Sequence, residues 1–352
     1  FRYPSTENRS LKAWNTADEH ILNLLSEMDI YSRPFAIYND RFGYLTCCLN
    51  HYNPLIVLTY KSQEKSIVMN LNSNHLDLDE NLFIDPLSPL PHFIDIGLIK
   101  IPKSFDLFRL FLYQLTQSLS GDGMVICSFM TRHFSPQLLT IADEFFEDVH
   151  QSKAWKKSRL LILKKKRVLK ELVTLNTILY KESELHQHFG VFSANKIDFA
   201  TQFLIENLRI NPNDNRILDL ASGNGIIAYA IRKENKDREL HLLDDSFLAV
   251  ESSKLNLENN NTFFHYNDCL GDIEDEFFDL VVSNPPSHFD YETNIEVSIQ
   301  LFHDVLRCLN TNGRFLIVAS KHHNYFTHLS KIFKRTIAIN KNAKFEILEC
   351  SK

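Results

Sequence analysis

Three groups of residues in the second half of this chain have types and spacing suited to chemistry. The first is Ser283-Asn284-Pro285-Pro286, where an apolar strand pattern runs into two prolines. Proline cannot continue a strand ladder and holds the neighbouring carbonyl outward. The Asn284 amide oxygen and the Pro285 carbonyl could each accept one N–H of an exocyclic amine. Such an amine is a poor nucleophile because its lone pair is delocalised into a ring, and two acceptors favour the pyramidal, attacking form. No tuned base is needed at the outset, because the proton turns acidic once the nitrogen is alkylated. In-line positioning then supplies most of the acceleration, so Asn284, Pro285 and Pro286 are the expected catalytic residues.

The second group is Asp219-Leu-Ala-Ser-Gly223-Asn-Gly225, which ends a strand and opens a helix. Glycines let backbone pass close to a ligand, and a helix N-terminus offers free N–H groups. The third is a set of acids after the next strands, Asp244 and Asp268. Asp219, Asp244 and Asp268 would all fall at the C-terminal edge of a parallel sheet, where open α/β sheets bind ligands. Asp219 before the glycines suits the cationic amino group of S-adenosylmethionine, Asp244 a ribose, and Asp268 an adenine amine. The expected cofactor-binding set is therefore Asp219, Gly223, Gly225, Asp244, Asp268 and Asn284. Asp245 reads as a helix cap. Two other readings stay open for the glycine segment: Gly223-x-Gly225-x-x-Ala228 also fits a loose dinucleotide fingerprint, and a bare strand-to-helix turn needs no ligand.

The elements that must position these groups alternate along the chain. Strands are predicted at Arg216–Leu220, Glu239–Leu243, Thr262–Tyr266, Phe277–Ser283 and Phe315–Ala319, the last after an Asn312-Gly313 turn. Helices are predicted at Ile226–Glu234, Ser246–Asn259 and Asn294–Leu309, the last with Ile295, Ile299, Phe302, Leu306 and Leu309 on one face. Such alternation implies a parallel, doubly wound sheet.

The first half repeats the plan at an offset of about 180 to 190 residues. Phe35-Ala-Ile-Tyr-Asn39 with Gly43 lies under Arg216 to Gly223, Lys61 through Asn72 under Asp245 through Asn256, Ile99-Lys-Ile-Pro102 under Ser283 to Pro286, and Gly123 under Gly313. The chemistry is not repeated. In this alignment Tyr60 stands for Asp244, Leu45 for Gly225 and Lys100 for Asn284, so the first copy is expected to bind no nucleoside. The predicted fold is α/β, two tandem doubly wound Rossmann-like methyltransferase domains: a degenerate one over 1–170 and a catalytic one over 171–352.

Composition narrows the class. A chain of 352 residues with 44% hydrophobic residues supports two cores, and no apolar run approaches a membrane span. The six cysteines show no paired spacing, which fits reduced thiols in a cytoplasmic protein and no metal site. A net charge of −6 argues against a general polyanion binder. From Lys153 to Lys170, however, nine lysines or arginines occur without an acid. Such a run is either a solvated face or a local phosphate-binding patch. Its position between the two halves favours the patch, which makes Lys156, Lys157, Arg159, Lys164, Lys165 and Lys166 candidate substrate-binding residues.

The chain resembles the bacterial rRNA guanine-N2 methyltransferases. The resemblance rests on Gly190-Val-Phe-Ser193, Asp219-x-x-x-Gly-Asn-Gly225, Asp244-Asp-Ser246, Ala249-Val-x-Ser-Ser253 and Asn284-Pro-Pro286. Leu11-Lys-Ala-Trp14, Ala154-Trp-Lys-Lys157, Arg307-Cys-Leu309, Tyr325-Phe326 and Lys331-Ile-Phe333 place it nearer the large-subunit, RlmG-type branch than the small-subunit one. That resemblance implies methyl transfer from S-adenosylmethionine, leaving S-adenosylhomocysteine, to a guanine N2 amine, at guanine 1835 of 23S rRNA. It also implies an rRNA partner for a monomer away from any membrane, with the first domain helping to bind RNA, and an unstacked target base.

Two departures qualify it. The family has glycine where Ala221 stands, and alanine is tolerated there provided φ is negative. The family also has a base-stacking aromatic where Ser287 stands, leaving Phe289 or His288 to supply that surface. Competing readings are small-subunit rRNA methylation, protein-glutamine methylation, a pyridine-nucleotide enzyme, and a non-catalytic RNA-binding or ribosome-assembly factor.

Overall fold

In a computed structural model the chain forms two compact units, Phe1–Thr174 and Leu175–Lys352. The structure describes residues 1–6, 8, 10–91, 93–168, 171–258, 260–285 and 295–352, with backbone alone for 295–297. Among the described residues no helix is long and apolar enough to cross a membrane, no His, Cys, Asp and Glu side chains cluster as a metal site, and all six cysteines are free thiols.

The first unit contains strands β1 (Phe35–Tyr38), β2 (Leu55–Val57), β3 (Phe83–Ile84), β4 (Ile94–Lys100), β5 (Leu119–Met130), β6 (Phe146–Gln151) and β7 (Ser158–Lys166). Its helices are α1 (Thr16–Ser26), α2 (Tyr44–Cys48), α3 (Lys61–Ser73), α4 (Phe105–Ser118) and α5 (Pro136–Phe145). The second unit opens with a hairpin of β8 (Leu175–Tyr180) and β9 (Ser183–His188), then helix α6 (Phe199–Glu206). It continues with β10 (Arg216–Leu220), α7 (Ile226–Glu234), β11 (Glu239–Asp244), α8 (Phe247–Asn256), β12 (Thr262–Tyr266) and β13 (Phe278–Ser283). It ends with α9 (Ile295–Cys308), β14 (Leu309–Ser320), α10 (Tyr325–Ile332), β15 (Arg335–Lys341) and β16 (Phe345–Ser351).

Both units carry a seven-stranded sheet of one design, in the orders β3-β2-β1-β4-β5-β7-β6 and β12-β11-β10-β13-β14-β16-β15. In each, five parallel strands are followed by an antiparallel pair. Even the irregularities match: β4 against β5 and β13 against β14 both slip register, and β5 and β14 share one burial sequence along twelve residues. Asn312-Gly313 is thus not a turn before a strand. It lies in an outward bulge of β14, between the residues that pair with Phe278 and Leu280.

Burial explains the central strands. Ile217, Leu218 and Leu220 of β10 and Leu280, Val281 and Val282 of β13 are sealed on both faces, as parallel strands under helices must be. One apolar layer joins α6 and α7 to the sheet through Leu204, Ile227, Ile231 and Leu240. The other joins α9 and α10 through Phe302, Val305, Phe315 and Leu329. Burying a ring such as Phe302 contributes roughly 2 kcal/mol. The buried stripe of α9 is Ser298, Phe302, Val305 and Cys308, with Ile299 and Leu306 at its margins. It is rotated from the expected face, and the inward Ser298 hydroxyl accepts from the Tyr325 hydroxyl, 3.2 Å away. Ile295 of that stripe lies outside the described side chains.

Candidate functional site

The C-terminal edge of the second sheet is held together by polar contacts between neighbouring strand ends. The Ser283 hydroxyl at the end of β13 donates to the Leu220 carbonyl at the end of β10, 2.8 Å away. From there the chain turns sharply through 221–225. The Ala221 and Ser222 amides donate to the Leu243 carbonyl at 2.8 and 3.1 Å, and Gly223 N–H donates to Asp244 Oδ2 at 2.8 Å. Asp244 Oδ1 accepts the Ser246 amide at 2.8 Å. The loop is also gripped from α8, where Asn256 Nδ2 donates to the Asn224 carbonyl, 2.9 Å away. From β9, Gln187 Oε1 accepts from Asn224 Nδ2 at 2.9 Å.

Three of the loop residues are left-handed: Ala221 at φ 59°, Gly223 at φ 56° and Gly225 at φ 78°. At Gly225 the reason is close packing, since an added Cβ would lie 2.9 Å from Ser253 Cβ and 3.0 Å from Leu242 Cδ2. At Gly223 nothing lies within 4 Å of that position, so space stays open beside the half-buried backbone. The condition for tolerating alanine at 221, a φ outside the positive region, is not met, because its φ lies where a Cβ crowds the next carbonyl. Ala221→Gly is expected to raise stability by ~1 kcal/mol, read as a higher denaturant midpoint at constant slope.

The acids share this edge. Asp219 is buried, and its Oδ2 accepts the Ala228 amide of α7 at 3.0 Å. Its Oδ1 is fully buried with no hydrogen-bond partner among the described residues, and so is the Ser222 hydroxyl. Loss of hydration lifts the Asp219 carboxyl to about 8, helped by the nearby Asp244. Asp244 is half-buried, and burial raises it to about 6 against the pull of its two amide donors. A carboxylate has about four lone-pair sites, so Asp244 retains acceptor capacity for hydroxyls. Asp268 follows β12 on a half-buried loop that is tied back by Asn267 N–H to the Asp244 carbonyl, 3.2 Å away. Asp245 does not cap α8. That role belongs to Ser246, whose hydroxyl accepts the Ala249 amide at 3.3 Å. An orphaned carboxylate oxygen, an open slot at Gly223 and a second acid next to it fit a cationic nucleoside such as S-adenosylmethionine.

Asn284 stands directly after β13, and its amide nitrogen is fully committed. It donates to Thr201 Oγ1 at 2.8 Å and to Asp198 Oδ2 at 3.2 Å. With both amide hydrogens held on one side, Oδ1 is turned the other way as an acceptor. Asp198 is fixed in turn as the N-cap of α6, accepting the Ala200 and Thr201 amides at 3.0 and 3.3 Å. Sequence reasoning missed Asp198 and Thr201. The available signal was an Asp directly before Phe199 and the apolar face of α6, which reads as an ordinary cap. Pro285 is half-buried beside Asn284, whereas Pro286, Ser287, His288 and Phe289 lie outside the described residues.

The basic run belongs to a hairpin of the first unit. Lys153, Lys156, Lys157, Lys164 and Lys165 are exposed on β7 and the turn before it, and Arg159 is half-buried. Lys156 stacks over Trp155 at 4.4 Å, and its ammonium lies 3.9 Å from Glu19. Lys164 is in register with Asp148. Lys166 belongs to the fold: its ammonium donates to the Thr116 and Leu119 carbonyls, so its charge faces the protein. Lys170 lies outside the described residues.

Strand register corrects the alignment of the two copies. Leu220 pairs with Leu243 and Ser283, and Tyr38 pairs with Val57 and Ile99. Asn284 therefore matches Lys100 as expected, but Asp244 matches Leu58, not Tyr60. Gly225 matches Gly43, not Leu45, because both are left-handed caps of the following helix. Each of these two sequence matches is two residues out of register: Tyr38 to Gly43 and Leu220 to Gly225 have the same spacing, and the extra residues of the second copy come only after the glycine. In the first unit Ile37 replaces Asp219, and Arg41 replaces Gly223 with its guanidinium over the Tyr60 ring, 4.6 Å away. Lys100 occupies the asparagine position and lies 2.9 Å from the buried Asp18, which sits where Thr201 sits in the second unit.

Comparisons with known proteins agree with this architecture. Residues 1–167 match the RLMG N-terminal domain family, and residues 182–349 match the methyltransferase small domain family. A ribosomal RNA large subunit methyltransferase G of Yersinia enterocolitica is 31% identical across 100% of this chain and 91% of its own length. One of Shewanella oneidensis is also 31% identical, over 100% of this chain and 96% of its own. Among solved structures, a T. thermophilus 16S rRNA N2 methyltransferase in complex with AdoMet and guanosine shares the fold with a TM-score of 0.76. It is 18% identical, and the match covers 96% of this chain and 92% of that one.

Proposed function

The chain belongs to the ribosomal RNA large subunit methyltransferase G family, and we propose that it methylates the exocyclic N2 amine of a guanine in large-subunit rRNA. By family resemblance the target is guanine 1835 of 23S rRNA. The chain is an S-adenosylmethionine-dependent methyltransferase, and that cofactor supplies an electrophilic methyl group on a sulfonium centre. The observation that carries the reading is the Asn284 amide, whose nitrogen is clamped by Thr201 and Asp198 so that its oxygen is left to accept.

The chain's own residues then divide the work. Asn284 Oδ1 and the Pro285 carbonyl accept the two N–H groups of the base amine and orient its lone pair. This is positioning and electrostatic preorganisation, with no proton removed before attack. Asp219 Oδ1 would hold the amino group of the cofactor, the open space at Gly223 would admit its chain, and Asp244 and Asp268 would accept from the ribose hydroxyls and the adenine amine. The first unit, with its cofactor edge filled by Arg41, Lys100 and Asp18, binds RNA and no nucleoside.

A pH dependence follows from Asp219. Its folded value of about 8 lies above the ordinary value of roughly 4. Between those limits the folded chain holds more protons than the unfolded one, so this group's contribution to stability is lost as pH rises through 8. A bound cation favours the carboxylate and must displace that proton. The affinity for S-adenosylhomocysteine is therefore expected to rise with pH from about 6 to about 8. Asp219→Asn should bind weakly with a flat profile, and calorimetric titration at several pH values checks this. Equal slopes for the two proteins would contradict the assignment.

The exposed lysines offer a second check. Lys164→Gln with Lys165→Gln is expected to weaken rRNA binding and to reduce the slope of log K against log salt by about 1 to 2. Unchanged binding would move the RNA footprint elsewhere. The proposal as a whole is tested by transfer of labelled methyl groups to protein-free large- and small-subunit rRNA. Label is expected in the large-subunit RNA, and label in the small-subunit RNA alone would overturn the choice of substrate. If the chain bound no S-adenosylhomocysteine, the strained Ala221 would instead mark a non-catalytic RNA-binding factor.

A further inference from the structure

Phe199 is an apolar ring with no evident reason to face water. It is 61% exposed at the first position of α6, next in the chain to Asp198, whose carboxylate holds the Asn284 amide at 3.2 Å. Adjacent Cα atoms are 3.8 Å apart, so Phe199 leaves the backbone directly beside the residue that clamps Asn284. The next residues of the helix, Ala200 and Thr201, are buried, so the first turn presents Phe199 outward from the same anchored segment. The Lys196 ammonium lies 4.6 Å from the ring centroid, covering part of it with a cation and adding positive charge beside the ring.

A guanine turned out of an RNA helix loses both stacking neighbours, and enzymes that extrude bases replace them with aromatic or apolar faces. Asn284 and Pro285 engage only the edge of the base, through its amine, so a face must come from elsewhere. Resting on the methylation reading above, we propose that Phe199, steadied by Lys196, is the stacking surface for the extruded guanine. Phe192, on the loop whose carbonyls are held by Gln187, is 71% exposed and serves as the comparison ring.

Steady-state methyl transfer to protein-free 23S rRNA by the full chain tests this. Stacking on one base is worth about a 5- to 150-fold change. Phe199→Ala is expected to lower kcat by that factor, with KM for the RNA and affinity for S-adenosylhomocysteine changed less than about threefold, because phosphate contacts dominate RNA binding. Phe199→Tyr should restore most of the rate and Phe199→Leu should not. Fluorescence quenching of RNA carrying 2-aminopurine at the methylated position should follow the same order. A Phe199→Ala protein as fast as wild type, a Phe199→Leu protein as good as Phe199→Tyr, or a rate loss confined to Phe192→Ala would each overturn the proposal. Wild-type protein that transfers no label to rRNA would instead overturn the methylation reading on which it rests.

Discussion

Asn284→Ala is expected to lower kcat for methyl transfer by about 10²- to 10³-fold, the scale on which removal of one preorganised hydrogen-bonding group is felt. The substitution deletes the acceptor for the base amine and leaves Thr201 Oγ1 and Asp198 Oδ2 without the amide they hold. Both are anchored independently through the cap of α6, so the fold should survive. Affinity for S-adenosylhomocysteine should change only a few-fold. Asn284→Asp should be at least as damaging, because a second carboxylate would face Asp198. Thr201→Ala removes one of the two clamps and should fall between, at about tenfold in kcat. That graded order separates a positioned acceptor from a merely structural asparagine. Single-turnover kinetics at saturating RNA would measure it, and an Asn284→Ala protein at full rate would refute the mechanism.

The second large effect is expected at Gly225. Alanine there must adopt φ 78° and place its Cβ within 3.2 Å of Ser253, Leu242 and Leu257 side-chain atoms. Left-handed strain costs about 1–2 kcal/mol and overpacking about 1–3 kcal/mol more. A loss of roughly 2–5 kcal/mol should lower the calorimetric transition by several degrees or abolish the fold of the second unit. Gly223→Ala is the control. Its backbone is equally left-handed at φ 56°, but no atom lies within 4 Å of the new methyl. It should cost about 1 kcal/mol in stability and yet weaken cofactor binding, since the methyl enters the open slot. Equal stability losses at the two glycines would contradict the account of this loop.

How far these features were legible from sequence depends on the range of the interaction. The strands of the second sheet were readable because parallel strands covered on both faces leave continuous apolar runs, as in Arg216–Leu220 and Phe278–Ser283. The duplication was readable because both copies bury the same faces. The register was less so: apolar strands without shared polar residues align almost equally well two residues out of step, and only the common left-handed cap at Gly43 and Gly225 fixes it. The candidate acids were visible because each lies at or beside the end of a strand. The clamp on Asn284 was not, because Asp198 and Thr201 lie more than eighty residues away and meet it only when α6 packs on the sheet. The inward turn of Ser298 and the burial of the Lys166 charge were hidden for the same reason. A serine on a helix or a lysine at a strand end reveals its partner only in three dimensions.

The central claim concerns one nitrogen atom, and the most direct measurement identifies the methylated nucleoside. Large-subunit rRNA labelled by the purified chain should be digested to nucleosides and resolved by mass spectrometry beside standards. The account predicts that N2-methylguanosine carries the label and that Asn284→Ala removes it. Label on a ring nitrogen, a base carbon or a ribose hydroxyl would contradict the account, since a pair of carbonyl acceptors aimed at an amine has no role in those reactions.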